Sequence, residues 1–355
     1  MYKLSICIPT RNRPEELIKT LSTIINQLKV NNFQNNVEIV IADNTDVESL
    51  KIKSELLSYK NVHYMNNDGN IGYANNINKL IKNAKGEYVW LLSDDDFISD
   101  NAVSIIIQTL NSGKRINYLT FYTGGCFQGK LFDDNIYFKE MSKTYFDNGI
   151  EFLDLYWQSI IFVSCNIFNR NELICHAEKY SLFDNINEVF QNSLLCISFI
   201  NNNGFVMVIP DVLVNDNYGN KEYSVRTEID VPILKNIKLL YQFKALNVSP
   251  VVCASLKDII IKNICFYGLR SLIRYIEFDG HSEIKNEFRY ICKNIKDRDI
   301  QKESRKIYLI FLLNRFIAKI ALKIFLKFKI IKGTEYVTIK EDLKVSYNKK
   351  YLSDY

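Results

Sequence analysis

Two hydrophobic rhythms alternate through the first hundred residues. Leu4-Ser5-Ile6-Cys7-Ile8 is a short apolar run that predicts a strand stopped by Pro9. Pro14 opens a helix, with Glu15 and Glu16 placed against its positive end and Leu17, Leu21, Ile24, Ile25 and Leu28 forming one face. Val37 to Ala42 predicts a second strand, ending at Asp43. A helix through Leu50, Leu56 and Leu57 and a short strand at Val62 to Met65 follow. Asn66 to Gly72 reads as a turn, Ala74, Ile77, Leu80, Ile81 and Ala84 as a helical stripe ended by Gly86, and Tyr88 to Leu92 as a buried strand. Alternation of this kind predicts a parallel sheet with helices on both faces. The polar strand ends, at Thr10, Asp43, Asn66 to Gly72 and Asp94 to Asp96, then share one edge, which suits a nucleotide-sized ligand.

Beyond this point the pattern predicts a helix at 101–110, a strand at Tyr118 to Tyr122, and helices at Glu151 to Ile160, Arg170 to Tyr180 and Glu188 to Ile200. A strand at Phe205 to Ile209 ends at Pro210. Gly124 to Tyr145 is aromatic and irregular, with the composition of a binding loop or an ordinary surface loop. From about Lys221 the pattern is almost wholly helical. A boundary near Asn220 divides the chain into an α/β domain, 1–220, and a helical region, 221–355.

The strand Tyr88 to Leu92 runs through Ser93 into three consecutive carboxylates, Asp94, Asp95 and Asp96. Adjacent anions repel, so a fold that holds them together calls for a compensating cation. Hard divalent ions such as Mg²⁺ or Mn²⁺ take oxygen ligands and share them with substrate phosphates. A solvated acidic turn capping the next helix is the alternative.

Composition narrows the field without choosing a function. Of 355 residues, 47% are hydrophobic and 24% charged, enough for a sizeable core, and a net charge of +5 is too mild to imply a nucleic-acid partner. Eight cysteines lie scattered with no CxxC pair, and the histidines, His63, His176 and His281, are far apart. Neither a disulfide framework nor a zinc site is expected, and with no secretory leader in view a cytosolic protein with reduced thiols is.

Five short motifs, in this order and spacing, resemble the family 2 glycosyltransferases, inverting enzymes with the GT-A fold. They are Ile8-Pro9-Thr10-Arg11-Asn12, Ile41-Ala42-Asp43-Asn44-Thr45, Asn70-Ile71-Gly72-Tyr73-Ala74-Asn75, Lys85-Gly86-Glu87-Tyr88 and Ser93-Asp94-Asp95-Asp96. The likeness covers about residues 3–100, and the acid triplet after Leu-Leu-Ser looks like an abequosyltransferase-like subgroup of bacterial surface polysaccharide synthesis. The resemblance implies a nucleotide-diphospho-sugar fold, a Rossmann-like mixed sheet between helices, and a nucleotide-sugar donor. Pro9, Thr10, Arg11 and Asp43 would border its base and ribose, and Asn70, Gly72 and Asn75 would line the same cleft. Asp94 to Asp96 correspond to the family's DxD motif, with Asp96 as the direct ligand of Mg²⁺ or Mn²⁺ and Asp94 or Asp95 turned toward the ribose and a metal-bound water. Asp94 thus counts toward both metal and donor. The family often places a basic residue near the Asn70 loop to meet the pyrophosphate; here Gly72 and Tyr73 stand there instead. For the base that takes the acceptor's proton, the segment Asp184-Asn185-Ile186-Asn187-Glu188 offers Glu188 first and Asp184 second, without the family's usual acidic pair. Each residue also has an ordinary reading: Asp43 as a turn aspartate, Gly72 as a turn glycine, Glu188 as a carboxylate favouring a helix start.

The acceptor expected from the resemblance is a glycan, lipid-linked. Residues 302–332 carry nine Lys or Arg and one acid, Glu303. Arg315, Lys319, Lys323 and Lys327 form a basic stripe opposite Leu313, Phe316, Ile317, Ile320, Ile324, Phe328 and Ile331. The longest apolar run, Ile307 to Leu313, falls well short of the ~20 residues that span a bilayer. Such a helix suits an anionic membrane surface, placing the protein on the inner face of the cytoplasmic membrane; packing on the protein's own core is the alternative. Two other functions stay open: a nucleotidyltransferase, which would carry a Gly- and Arg/Lys-rich loop where only Arg11 and Arg13 flank the first turn, and a non-catalytic nucleotide-sugar-binding module.

Overall fold

A computed structural model describes residues 2–46, 58–127, 130–132, 143–217, 230–277, 283–313, 318 and 320. The chain divides into two compact units, Met1–Glu222 with Tyr241–Val252, and Tyr223–Leu240 with Cys253–Tyr355. In the first unit lie β1 (Leu4–Thr10), α1 (Pro14–Val30), β2 (Val37–Asp43), β3 (Val62–Asn66), α2 (Tyr73–Asn83), β4 (Tyr88–Leu91), β5 (Phe97–Ile98) and α3 (Ala102–Leu110). They are followed by β6 (Tyr118–Phe127), β7 (Lys130–Phe132), β8 (Tyr145–Phe146), α4 (Gly149–Tyr156), β9 (Asn166–Asn169), α5 (Arg170–Lys179), α6 (Gln191–Asn203) and β10 (Val206–Asn217).

The strands form one mixed sheet in the order β3-β2-β1-β4-β9-β6-β10-β5, with β7 on β6 and β8 on β10. The first four are parallel, as the alternating pattern requires. Leu17, Leu21, Ile24 and Leu28 of α1 and Val103, Ile106 and Ile107 of α3 join Ile6, Ile8, Ile39, Ile41 and Trp90 in one core. On the other face α2 packs on β1 and β2. Burial on both faces is why β1, β2 and β4 read as continuous apolar runs.

Inside β2 sits one fully buried acid, Glu38, whose Oε1 accepts from Ser5 Oγ and from the backbone N–H groups of Lys85 and Gly86. This clamp ties β1, β2 and the approach to β4 together at the edge away from the acid triplet. A side chain at 86 would place its Cβ 2.6 Å from Ser5 N, so Gly86 answers to close packing, while α2 ends earlier, at Asn83 with Ala84 as its C-cap.

Three boundaries differ from the sequence expectation. β1 does not stop at Pro9 but runs to Thr10. Cys7 O accepts from Leu92 N, and two residues on Pro9 faces the same side, past the end of the β4 ladder, so its missing N–H breaks no bond. Pro210 likewise fails to end β10, because the register against β6 shifts between Ile209 and Val212 and this bulge takes up the proline. The helix expected from Glu188 starts at Gln191 and runs to Asn203, because Asn187 Oδ1 accepts from Val189 N and Phe190 N and holds that stretch as a turn.

The helix expected at Glu151 to Ile160 is split, α4 giving way to a 3₁₀ segment over Trp157–Ile161. Four residues of the irregular 124–145 segment, 124–127, extend β6, and 130–132 pair back on it. β9 was not foreseen: it is antiparallel to both β4 and β6 and makes the sheet mixed. The helix through Leu50, Leu56 and Leu57 lies outside the described residues.

The described residues of the second unit include helices over Asn236–Ala245, Pro250–Glu277, Glu283–Asn294 and Arg298–Phe311, the first two also reaching into Tyr241–Val252. Asp297 caps the last of them, its carboxylate accepting from Asp299 N and Ile300 N. Among the described residues no helix is long and apolar enough to cross a membrane. The basic stripe Arg315, Lys319, Lys323 and Lys327 lies outside the described residues.

Candidate active site

Strand register assembles the site. Thr10 pairs opposite Asp43 and Asp43 opposite Asn66, while Cys7 pairs opposite Leu91. Three residues past that last pair come Thr10 on one strand and Asp94 on the other. Thr10 Oγ1 donates to Asp94 Oδ2 at 2.5 Å, and Thr20 Oγ1, from the buried face of α1, donates to the Asp94 carbonyl at 2.9 Å. Asn12, at φ +57°, turns the chain after β1 and donates its N–H to Thr45 Oγ1 at 2.7 Å. That turn delivers Arg13, whose Nη1 lies 3.1 Å from Asp94 Oδ1 and 2.8 Å from Asp95 Oδ2. Ser93 Oγ donates to the other Asp95 oxygen at 2.6 Å.

Asp96 is held from the far side of the sheet. Ser164 Oγ donates to Asp96 Oδ2, and Asn217 N donates to Oδ1 at 3.3 Å. Ser164 also accepts from Ser93 N at 2.9 Å, and its carbonyl accepts from Trp90 Nε1 at 2.7 Å, so the segment before β9 is pinned to β4. Buried Asp216, beside Asn217 on β10, adds its negative charge to Asp96.

The electrostatics follow from this crowding. Burial pushes the Asp94 carboxyl up to about 6, against the pull of Thr10 and Arg13. Burial pushes Asp96 up to about 7, against the hydrogen bond from Ser164 and with the repulsion of Asp95 and Asp216 added. Burial alone would lower Arg13; the carboxylates of Asp94 and Asp95 outweigh it and hold the guanidinium above its usual value. Asp94 and Asp95 thus share the charge of one arginine, while Asp96 faces the repulsion of Asp95 and Asp216; carboxylate oxygens are the hard ligands that a divalent cation takes. Among the described residues no three His, Cys, Asp or Glu side chains converge as a complete metal site, so a cation here would take part of its coordination from a ligand.

Asp43 stands 1% exposed at the end of β2. Thr45 N donates to its Oδ1 at 2.7 Å and Tyr64 OH to its Oδ2 at 2.8 Å. The Tyr64 hydroxyl is pushed well up, first by burial and then by that carboxylate. Beside it runs a chain of amides. Asn67 Nδ2 donates to Asn44 Oδ1 and Asn76 Oδ1, Asn44 Nδ2 to Asn70 Oδ1, and Lys79 Nζ to Asn67 Oδ1. Gly72 has φ +85° and a Cβ there would meet nothing within 4 Å, so the backbone conformation, not crowding, calls for glycine. Asn75 is exposed and donates to Ile71 O at 2.9 Å. Pro9 is half-buried and Arg11 exposed at the same edge.

Asp184 and Glu188 are both exposed on the turn before α6. That turn is tied to α2, with Asn78 Nδ2 donating to Phe183 O and Gln191 Nε2 to Asn78 Oδ1. Asn192 accepts from Tyr73 OH, next to Gly72, at 3.4 Å. The register therefore brings Thr10, Asp43 and Asp94 to Asp96 to one edge, while the turn that carries Asp184 and Glu188 is tied to α2.

Sequence reading missed Thr20, Ser164 and Asp216 and counted Arg13 only as a flanking charge. Thr20 had a signal, a polar residue on the stripe Leu17, Leu21, Ile24. Ser164 and Asp216 had none, lying 68 and 120 positions beyond Asp96.

A family model described as Glycosyl transferase family 2 matches residues 5–174, from β1 into α5. The chain carries a family 2 glycosyltransferase domain. Among curated family relatives it is 24% identical over 270 residues to the abequosyltransferase RfbV of Salmonella typhimurium, covering 69% of this chain and 77% of that protein. It is 31% identical over 120 residues to the GalNAc(5)-diNAcBac-PP-undecaprenol beta-1,3-glucosyltransferase of Campylobacter jejuni, covering 32% and 36%. Staphylococcus aureus TarS 1-349 in complex with UDP-GlcNAc superposes with a TM-score of 0.57 at 14% identity, over 97% of this chain and 92% of that one. The mannosyltransferase PcManGT of Pyrobaculum calidifontis, with GDP-Man and Mn²⁺, does so with a TM-score of 0.51 at 12% identity, over 99% and 87%. These likenesses establish the GT-A fold, and the family match establishes glycosyl transfer as the activity.

Proposed function

We propose that this glycosyltransferase moves one sugar, with inversion, from a nucleotide-sugar to a lipid-linked glycan in bacterial surface polysaccharide synthesis. The observation that carries the reading is the single strand-end edge shared by Asp43 and Asp94 to Asp96. Residues 1–220 form the transferase proper and 221–355 its helical extension. Pro9, Thr10, Arg11, Asn70, Gly72 and Asn75 border the donor around Asp43, whose carboxylate, oriented by Thr45 and Tyr64, reads a base N–H. The names of RfbV and of the undecaprenol-linked glucosyltransferase support a surface-glycan acceptor on a lipid carrier.

Asp96 and Asp94 would hold Mg²⁺ or Mn²⁺ together with the donor's phosphates, and Asp95 would face the ribose. The excess carboxylate charge supports this, as does the Mn²⁺ in the complex of PcManGT. When bound, the ion supplies Lewis-acid stabilisation of the leaving diphosphate. The protein's own residues do the rest. The strand edge fixes the donor, α1 and β9 lock the acids in place, and Glu188, or Asp184, accepts the proton of the attacking hydroxyl. The helix Arg298–Phe311 exposes Arg298, Lys302 and Arg305 on one side and then Leu309 and Leu312, a gradation from cationic to apolar that supports docking on an anionic membrane surface at the inner face of the cytoplasmic membrane.

A panel of nucleotide-sugars tested by calorimetry, with Mn²⁺ or Mg²⁺ and with EDTA, checks the reading. One donor should bind, the metal should strengthen it, and Asp96→Ala should abolish that gain. Equal affinity in metal and EDTA would remove the metal from the reading, and no binding by any donor would remove the donor site.

A further inference from the structure

Arg13 is a cation set against Asp94 and Asp95, and its attachment is of an exchangeable kind. Both contacts use the same nitrogen, Nη1, so the two-nitrogen fork that makes arginine–carboxylate pairs strong is not engaged. Its side chain is 43% exposed, whereas that of Asp94 is 4% exposed. The backbone beneath it is fixed. Arg13 O accepts from Leu17 N at 3.1 Å, and Pro14 follows as the first residue of α1. A guanidinium on a fixed stem, half in water, can leave its carboxylates without disturbing the fold.

We propose that Arg13 is a built-in counter-ion that competes with the divalent cation for Asp94 and Asp95, and that once displaced its guanidinium turns to the donor's diphosphate. The proposal rests on the donor-site reading above. Asp94 and Asp95 are needed by a divalent ion, and a doubly charged ion attracts them more strongly than a guanidinium at the same distance. The displaced arginine stays at the strand-end edge, where the leaving diphosphate gathers negative charge, and phosphate oxygens offer its planar fork a two-point contact. The loop at Asn70 to Asn75 carries no Lys or Arg, so Arg13 fills that need from the other side of the edge.

Manganese alone, titrated into the full-length protein, tests the competition. Arg13→Gln should bind Mn²⁺ roughly fivefold more tightly than wild type, the scale of removing a half-exposed cation from its carboxylates. With Mn²⁺ saturating, the same variant should bind the diphosphate of the preferred nucleoside roughly tenfold more weakly, the loss of a charge-assisted contact. The diphosphates of uridine, guanosine, adenosine, cytidine and thymidine are each tried. A folded Arg13→Gln whose Mn²⁺ affinity is unchanged or weaker overturns the proposal while leaving the donor site standing, provided wild type still binds a nucleoside diphosphate. Failure of wild type to bind any of the five would sink both. A measurement on wild type alone avoids dependence on the variant's folding. Phenylglyoxal modification of Arg13, mapped by peptide mass, should speed up with Mn²⁺ and slow again when the diphosphate is added. A rate indifferent to both overturns the proposal.

Discussion

Thr10 and Asp94 are 84 residues apart in the chain and 2.5 Å apart in the fold, hydroxyl to carboxylate. Each stands three residues beyond the last β1–β4 pair, Cys7 opposite Leu91. The bond is a direct consequence of parallel register. Thr10→Val keeps the shape and removes the donor, so it should destabilise the protein by about 1–3 kcal/mol, the cost of leaving a buried acceptor short of a partner. Asp94, already pushed up to about 6 by burial, should rise further and hold a divalent cation less well at pH 7. Urea melts and Mn²⁺ titrations of the variant check both. A variant as stable as wild type, with the same Mn²⁺ affinity, would show that the bond is incidental.

Glu188→Gln should lower transfer by roughly 10²-fold or more and leave donor binding intact, because a general base acts on the acceptor's proton and not on the donor. Turnover with donor and acceptor, beside donor calorimetry, separates the two. If Glu188→Gln is fully active and Asp184→Asn is not, the role belongs to Asp184. Full activity in both would leave the base elsewhere.

His176 sits 5% exposed between Tyr180 and Phe199, with Nε2 3.2 Å from Ser198 Oγ. Burial first, and then the charge of Lys179, lowers it to about 4 from its ordinary 6.5. A histidine lowered on folding contributes stability that is present above the unfolded value and lost as pH falls through the folded one. Thermal midpoints of wild type should therefore fall between pH 6.5 and pH 4. His176→Gln, which cannot charge, should show a shallower fall over that window. Parallel curves for the two proteins would exclude His176 as a source of acid sensitivity.

Wild type should sediment with anionic liposomes at low salt and release as salt rises, each basic residue near the surface being worth about 1 kcal/mol before screening. Changing Arg315, Lys319, Lys323 and Lys327 together to Gln should release it while nucleotide binding in the N-terminal unit persists. If wild type ignores anionic and neutral liposomes alike, or the variant unfolds, the stripe is structural.

The sequence by itself determined the first four strands and the helices α1, α2 and α3. There, burial on two faces leaves near-continuous apolar runs in strands, and burial on one face leaves a 3.6-residue stripe in helices; both are local patterns. It also marked Asp43 and Asp94 to Asp96, because polar residues cut those runs off abruptly and a parallel sheet sends such ends to one edge. The tertiary structure alone decided what surrounds them. β9 is four residues long and reads as nothing in particular; only its place between β4 and β6 makes it a strand and carries Ser164 to Asp96. Pro210 reads as a stop, yet a bulge against β6 accommodates it and lets β10 run on to Asp216. Arg13 reads as a loop charge until Asn12 turns the chain back over the acids. Periodicity records which face of an element is buried, but which distant side chain completes a charge or a hydrogen bond depends on pairing across the sheet, and no local pattern encodes that.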